Sequence, residues 1–248
     1  MSLLAVLADI HGNREALDAC LADAKALGAT QFVFLGDLVG YGADPNRVVE
    51  WVRANCPIVI RGNHDKACVG LEDLEWFNPV ARAAAVWTLQ QLTPENADYL
   101  RKLPEGPVIH GGLEFFHGAP FDEDEYLLTA PEAGEAFGYL AARVAFFGHT
   151  HVQGGFIWNH ERVETIPAIN SGGKRDTMSI DPECAYMLNP GSVGQPRDGD
   201  PRACCALYDS DNPAVTYCRT RYDLDTAQKK IRDVGLPPIL ADRLALGR

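Results

Sequence analysis

Phe32-Val33-Phe34-Leu35-Gly36-Asp37-Leu38-Val39-Gly40-Tyr41-Gly42 is an apolar run of strand length that ends on a carboxylate and is followed at once by glycines. In an open α/β sheet, ligands bind outside the carboxyl ends of the strands, and Asp37 stands at such an end. Other runs end in the same manner. Residues 3–8 run into Asp9-Ile10-His11, and residues 57–61 into Gly62-Asn63-His64-Asp65. Residues 113–116 end in His117, and residues 144–147 in Gly148-His149-Thr150-His151. These strand ends predict one assembled site with Asp37 at its centre.

The segments between them set the fold class. After His11, Asn13 is placed to cap a helix, Leu17, Cys20, Leu21 and Ala24 follow at helical spacing, and Gly28 sits where the helix should stop. Asp44-Pro45 is an N-cap followed by proline at the first helical position, with Val48, Val49 and Val52 as the apolar face. Strand, helix, strand, helix, strand implies parallel pairing through right-handed crossovers. Residues 66–105 break this rhythm. Asn78-Pro79 and Thr93-Pro94 each start a helix, and Val80, Ala83, Ala84 and Trp87 are expected to line one face of the first. The segment reads as a helical cap inserted beside the site. Residues 108–117 form an expected hairpin turning at Gly111-Gly112, and residues 156–166 a second one around Asn159-His160. Asp122 to Glu125 reads as a solvated acidic loop, Pro131 opens a short helix, and residues 168–183 read as a polar loop containing Gly172-Gly173. Strands follow at 186–188, 203–208 and 214–219, and a helix at 225–233 closes the chain. Early βαβ units joined to late hairpins predict an α/β fold, a layered αββα sandwich of two mixed β-sheets flanked by helices. Residues 1–248 read as one domain, without internal repeats.

Composition narrows the chemistry. The chain has 248 residues, 46% of them apolar, which is enough for a sizeable core. Lys and Arg number 22 against 34 Asp and Glu, a net charge of −12. Proteins that grip a nucleic-acid backbone are usually basic, so polymeric nucleic acid is not expected as a partner. A small phosphorylated substrate remains compatible, because bound divalent metals invert the local field. Seven cysteines, an odd number without a Cys-x-x-Cys, argue against a disulfide framework or a cysteine zinc site and suit a reducing cytoplasm. The apolar N-terminal run is too short for a signal peptide and no run reaches the length of a membrane span.

Asp9, His11, Asp37, Asn63, His117, His149 and His151 offer mixed oxygen and nitrogen donors without a thiolate, a set suited to hard or borderline divalent metals. In Asp9-x-His11 and His149-x-His151, alternation would point both side chains to one side of a strand end. Five of the seven histidines fall in these motifs. The other two, His110 and His160, lie at hairpin turns and read as structural or solvent-exposed.

The order Asp-x-His, Gly-Asp, Gly-Asn-His-Asp, His, Gly-His-Thr-His, running from Asp9 to His151, resembles the calcineurin-like metallophosphoesterases. Asn189-Pro190-Gly191-Ser192-Val193-Gly194-Gln195-Pro196-Arg197 extends the resemblance towards the small bacterial and archaeal branch that includes YfcE-type phosphodiesterases. The resemblance implies two divalent metal ions, Mn²⁺ foremost, with Fe, Zn, Ni or Co as other occupants. One would take Asp9, His11, Asp37 and His151, the other Asp37, Asn63, His117 and His149, with Asp37 bridging. A hydroxide held between metals about 3.5–4 Å apart would attack phosphorus in line. His64 would donate a proton to the leaving oxygen or bind phosphate.

One departure bears on substrate. Protein phosphatases of this superfamily read Gly-Asp-x-x-Asp-Arg-Gly at the second motif, whereas Gly40 and Tyr41 here replace the aspartate that orients the catalytic histidine and a phosphate-gripping arginine. Asp65 is the remaining candidate to orient His64, Arg197 a candidate cation for substrate, Tyr41 a candidate substrate contact, and Asn189–Gly194 a turn near the metals. The expected activity is phosphodiester hydrolysis. Other readings are a dinucleoside polyphosphate hydrolase of the diadenosine tetraphosphate type, a phosphomonoesterase or protein phosphatase, and a non-enzymatic scaffold that loss of ligands would have favoured. The sequence leaves the substrate and the oligomeric state open.

Overall fold

β1 (Leu3–Leu7) and β2 (Gln31–Phe34) lie parallel, joined by α1 (Arg14–Ala26), and β3 (Ile58–Val59) follows parallel to β2 after α2 (Pro45–Asn55). The computed structural model describes residues 3–168 and 173–248. Asn13 caps α1 by accepting from Ala16 N at 3.1 Å. Asp44 stands at the N-cap of α2 but makes no capping bond. Its carboxylate instead takes Lys230 Nζ at 2.5 Å, so proline at the first turn starts this helix unaided.

Past β3 come α3 (Asn63–Ala67), α4 (Pro79–Gln91) and α5 (Pro94–Arg101). Asn78 and Thr93 cap the latter two through their side chains. The buried face of α4 is Ala81, Ala84, Ala85 and Thr88, with Val80 and Trp87 partly buried beside it. Ala83 is exposed, contrary to expectation, because α4 touches α2 on one side and the C-terminal helices on another, which rotates its buried stripe.

β4 (Val108–His110) and β5 (Leu113–Phe115) make the expected hairpin, followed by α6 (Ala130–Phe137), β6 (Val144–Phe146), and the hairpin of β7 (Gly154–Trp158) and β8 (Val163–Ile166). The expected polar loop at 168–183 contains a strand, β9 (Arg175–Ser179), while Gly172 of its glycine pair lies outside the described residues. β10 (Ala185–Asn189), β11 (Ala203–Asp209) and β12 (Ala214–Thr220) follow. α7 (Leu224–Asp233) matches the expected helix, but a further one, α8 (Pro238–Leu244), comes after it.

The strands form two six-stranded mixed sheets, β3-β2-β1-β11-β12-β9 and β4-β5-β6-β10-β7-β8. Leu4, Val6, Ala8, Val33, Leu35 and Ile60 of the first face Phe115, Phe146, Tyr186 and Leu188 of the second. α1, α2 and α5 cover the outer face of the first sheet through Leu17, Leu21, Val48, Val52 and Leu100, and α6 covers the second through Ala133, Ala136 and Phe137. Each fully buried leucine or phenylalanine contributes roughly 1.5–3 kcal/mol. The αββα sandwich thus forms as expected, and the carboxyl ends of β1, β2, β5 and β6 converge on one edge. No helix among the described residues is long and apolar enough to cross a membrane.

Candidate metal centre

Asp9, His11, Asp37, His149 and His151 adopt left-handed backbone angles, φ 56°, 50°, 53°, 65° and 60°. Strand alternation therefore does not aim these side chains. Each chain segment turns sharply as it leaves its strand, at a backbone cost of roughly 1–2 kcal/mol per residue. The turns are fixed by hydrogen bonds between segments: Asp9 N to Gly36 O (3.1 Å), His11 N to Asp37 O (2.9 Å) and Gly148 N to His117 O (2.8 Å). Residues 189–195 lock them from the other side. Asn189 Nδ2 donates to Gly148 O at 2.9 Å, Ser192 Oγ to Asp9 O at 2.8 Å, and Gly194 N to Asp9 O at 2.9 Å. Gly62 packs so closely that a Cβ there would lie 2.2 Å from Asp37 Oδ1.

Two groups of donor atoms result, Asp9, His11, Asp37 and His151, and Asp37, His117 and His149, all buried and within 4.8 Å inside each group. Asp37 belongs to both, its Oδ2 standing 3.5 Å from His11 Nε2 and 3.6 Å from His117 Nε2. Each imidazole has one nitrogen occupied by a carbonyl. His11 Nδ1 donates to Val39 O (3.0 Å), His117 Nδ1 to Leu35 O (2.6 Å), His151 Nδ1 to Gln195 O (2.7 Å) and His149 Nε2 to Asp124 O (3.1 Å). Carbonyls only accept, so the protons sit on those nitrogens and the opposite nitrogens carry lone pairs. Those lone pairs face each other: His11 Nε2 to His151 Nε2 at 3.1 Å, and His117 Nε2 to His149 Nδ1 at 3.1 Å. Two lone pairs at that distance repel unless a cation joins them.

Two buried oxygens, Asp9 Oδ2 and Asn63 Oδ1, lack any hydrogen-bond partner, an arrangement that divalent cations would satisfy. Burial pushes the Asp9 carboxyl well above its ordinary range, with Asp37 adding to the shift, and burial holds His11, His117 and His151 below the usual imidazole range and His149 at about 2. Neutral imidazoles are the ligating form.

A model of the calcineurin-like phosphoesterase family matches residues 3–153. The chain belongs to that family. It is 36% identical to an uncharacterized protein of Methanocaldococcus jannaschii, over 100% of this chain and 99% of the relative. The crystal structure of a metallophosphoesterase from Sphaerobacter thermophilus is 37% identical, with a TM-score of 0.86 over 100% of this chain and 99% of that one. A hypothetical protein from Pyrococcus horikoshii shares the fold at 22% identity, with a TM-score of 0.79 over the same shares of the chains. Membership implies a hydrolase of phosphoester bonds that uses divalent metal.

In this phosphoesterase His64 is the second residue of α3, its backbone N–H donating to Asp37 Oδ1 at 2.9 Å. Its ring is boxed by Tyr41 (centroids 4.4 Å apart), His11 (5.0 Å) and Phe77 (5.3 Å). Gly40, at φ 86°, is the floor of that box: a Cβ there would lie 2.7 Å from His64 Nδ1. His64 Nδ1 has no hydrogen-bond partner. Asp65 does not orient it. The Asp65 carboxylate is buried and accepts from Leu38 N (2.9 Å), Val39 N (3.3 Å) and Gly62 N (3.0 Å), so it ties the second and third motifs together instead. Burial, then Arg197 and His117, push the His64 imidazole down to about 3.

Arg197 is partly buried. Its backbone N–H donates to His151 O at 3.1 Å, and its charge acts on Asp9, His11, Asp37 and His151, so it faces the centre rather than open solvent. Its guanidinium lies 5.9 Å from the Tyr41 ring centroid.

The acidic stretch at 122–125 is not simply solvated. Glu123 is 8% exposed and receives Arg61 bidentately, Nη2 to Oε1 at 2.7 Å and Nε to Oε2 at 2.9 Å, and Lys66 Nζ at 2.9 Å. This clamp places Asp124 O against His149 and lays the Tyr126 ring 3.8 Å from the His149 ring. Tyr126, Phe77 and Arg243 of α8, 5.9 Å from the Tyr41 centroid, escaped the sequence reading because no motif marks them. His110 is exposed, and His160, also exposed, meets Glu183 O at 2.8 Å, both apart from the centre.

Proposed function

We propose that the protein is a metal-dependent phosphodiesterase holding two divalent cations, with Mn²⁺ as the preferred species, and acting on a small phosphorylated substrate. The observation that carries this reading is the pair of imidazole lone-pair contacts with Asp37 Oδ2 between them. One cation would be held by Asp9, His11, Asp37 and His151, the other by Asp37, Asn63, His117 and His149. An all-oxygen-and-nitrogen donor set without thiolate suits Mn²⁺. Bound there, the cations would lower the pKa of a water towards ~7 and neutralise phosphoryl oxygens.

The chain's own residues do the rest. His64 stands beside the cluster with a free ring nitrogen and serves as proton donor to the leaving oxygen. Burial disfavours its protonated form, and the negative charge of a phosphoryl group brought alongside would favour it. Tyr41 and Phe77 shield the ring from water, so the 66–105 segment contributes one wall of the site through Phe77 while α5 packs against α2 and α3. Tyr41 in place of a second phosphate-gripping arginine favours the singly charged diester over a doubly charged monoester.

The test is direct. Protein stripped with a chelator should lose hydrolysis of bis-p-nitrophenyl phosphate and regain it with Mn²⁺, at two equivalents per chain by elemental analysis. Full turnover by demonstrably metal-free protein would reject the reading.

A further inference from the structure

Arg243 and Arg197 converge on the same tyrosine from opposite ends of the last third of the chain. Both guanidinium carbons lie 5.9 Å from the Tyr41 ring centroid, within range of favourable cation–π attraction. The two charges repel: the nearness of Arg197, after burial, helps lower the Arg243 guanidinium below its ordinary range. Among the described residues no aspartate or glutamate side chain lies within ion-pair distance of either one. Arg243 Nε donates to Arg248 O, an oxygen of the last residue's carboxyl group, at 2.6 Å, Arg197 Nη2 donates to the neutral Gln195 Oε1 at 3.1 Å, the Arg197 side chain also meets that of Tyr126, and Arg197 Nε is buried without a partner. In a chain with 34 Asp and Glu against 22 Lys and Arg, two neighbouring arginines without an acidic side chain as ion-pair partner are conspicuous. Other cations nearby are all claimed: Lys230 by Glu15 and Asp44, Lys66 by Glu123 and Asp124, Arg61 by Glu123.

Their place in the fold is as telling. Tyr41 is packed against His11 at 4.7 Å and His64 at 4.4 Å, so it forms the wall of the metal centre. Arg197 acts on the centre itself, whereas Arg243 acts on Arg197 and Tyr41 and stands one step further out. The apolar side of α8, Leu240, Ala241 and Leu244, is buried with Ala81, Ala84 and Tyr41, which holds Arg243 at this spot rather than leaving it on a free tail.

We infer that Arg243 and Arg197, braced by Tyr41, form a subsite for a second anionic group of the substrate, a phosphate beyond the one that is cleaved. Guanidinium groups bind phosphate oxygens bidentately, and an anion between these two would relieve their repulsion. This rests on the phosphoesterase reading above and deepens it: the substrate is a phosphodiester that carries a further phosphate. α8 then acts as a selector for that group, and the segment from 197 to 243 supplies specificity to motifs that end at His151.

Non-hydrolysable ligands test this by calorimetry on the Mn²⁺-loaded protein. Propylphosphonate reports the central site, and 1,3-propanebisphosphonate adds a second anion on the same scaffold. The bisphosphonate should bind roughly ten- to hundredfold more tightly, the range expected for added hydrogen bonds between charged groups. In Arg243→Gln that ratio should fall towards one, Arg243→Lys should recover part of it, and Arg232→Gln, an exposed arginine of α7, should keep it. Equal affinities in the parent protein, or a ratio that survives in Arg243→Gln with folding verified by circular dichroism, would overturn the subsite. Failure of both phosphonates to bind the Mn²⁺-loaded protein would overturn the parent reading, and the subsite with it.

Discussion

His11 and His151 hold their Nε2 lone pairs 3.1 Å apart, although 140 residues separate them in the chain. Both rings are fixed in that opposition by carbonyls that accept from Nδ1, so neither can turn away. A cation between them converts repulsion into coordination, and the folded chain should therefore be more stable with metal than without. A ligand present at a hundred times its Kd stabilises by about 2.7 kcal/mol, which for a chain of this size is a rise in Tm of about 5–10 °C. Differential scanning fluorimetry against Mn²⁺ after chelation checks this. A Tm indifferent to metal would contradict the opposition of lone pairs.

His64 should separate leaving groups. An alkoxide needs a proton in the transition state, whereas a nitrophenolate leaves without one. Loss of a general acid costs about 10²–10⁴-fold, so His64→Ala should lose that factor on an alkyl phosphodiester and much less on bis-p-nitrophenyl phosphate, at equal metal content. Equal losses on both esters would remove the general-acid role and leave the metal site standing.

Gly40 offers a second approach to the same ring. Its φ of 86° strains any other residue, and a Cβ would lie 2.7 Å from His64 Nδ1. Gly40→Ala should destabilise the fold by about 1–2 kcal/mol in urea unfolding and displace His64. Its loss of kcat on the alkyl ester should approach that of His64→Ala while both metals stay bound. Retention of full activity would show that the box around His64 is slack.

The clamp at Glu123 gives a pH dependence. Burial alone would raise this carboxyl, but the hydrogen bonds from Arg61 and Lys66 outweigh it and hold the group below the ordinary range. A folded-state pKa below the unfolded one means stabilisation that is complete above about pH 4.3, the unperturbed glutamate value, and lost as pH falls through the folded value. Glu123→Gln should cost about 3 kcal/mol at pH 7, the lower end for breaking a buried pair, because Asp124 and Glu105 keep Lys66 and Arg61 partly paired. The gap between variant and parent should narrow below that pH. A gap that stays constant in pH would assign the effect to shape rather than charge.

The centre was legible because its donors follow apolar runs directly. A strand end with Asp or His and a glycine beside it is a local pattern, and three parallel strands converge by topology alone. β9 was not legible. Arg175–Ser179 is a polar, exposed edge strand that, among the described residues, pairs with β12 alone, so its sequence carries no burial signal. α8 is short, and its apolar face exists only because α4 and α7 meet it there. The acidic stretch misled for a related reason. Glu123 is buried by partners at positions 61 and 66, and a run of charges does not show which member finds a partner elsewhere in the fold. Aiming of the side chains was misread too, since left-handed turns at Asp9 and His149 replace the alternation of a strand.

β1 leads into the first two donors of the chain, Asp9 and His11, yet it lies between β2 and β11, and Leu3–Val6 pair antiparallel with Ala206–Asp209. A chain emerging from the ribosome presents every donor once residue 151 is out. One edge of β1 nevertheless stays open until residues 203–209 follow, and His151 lacks the Gln195 carbonyl that fixes its ring. The geometry of the centre is therefore complete only after residues 195 and 203–209 have joined the first 151.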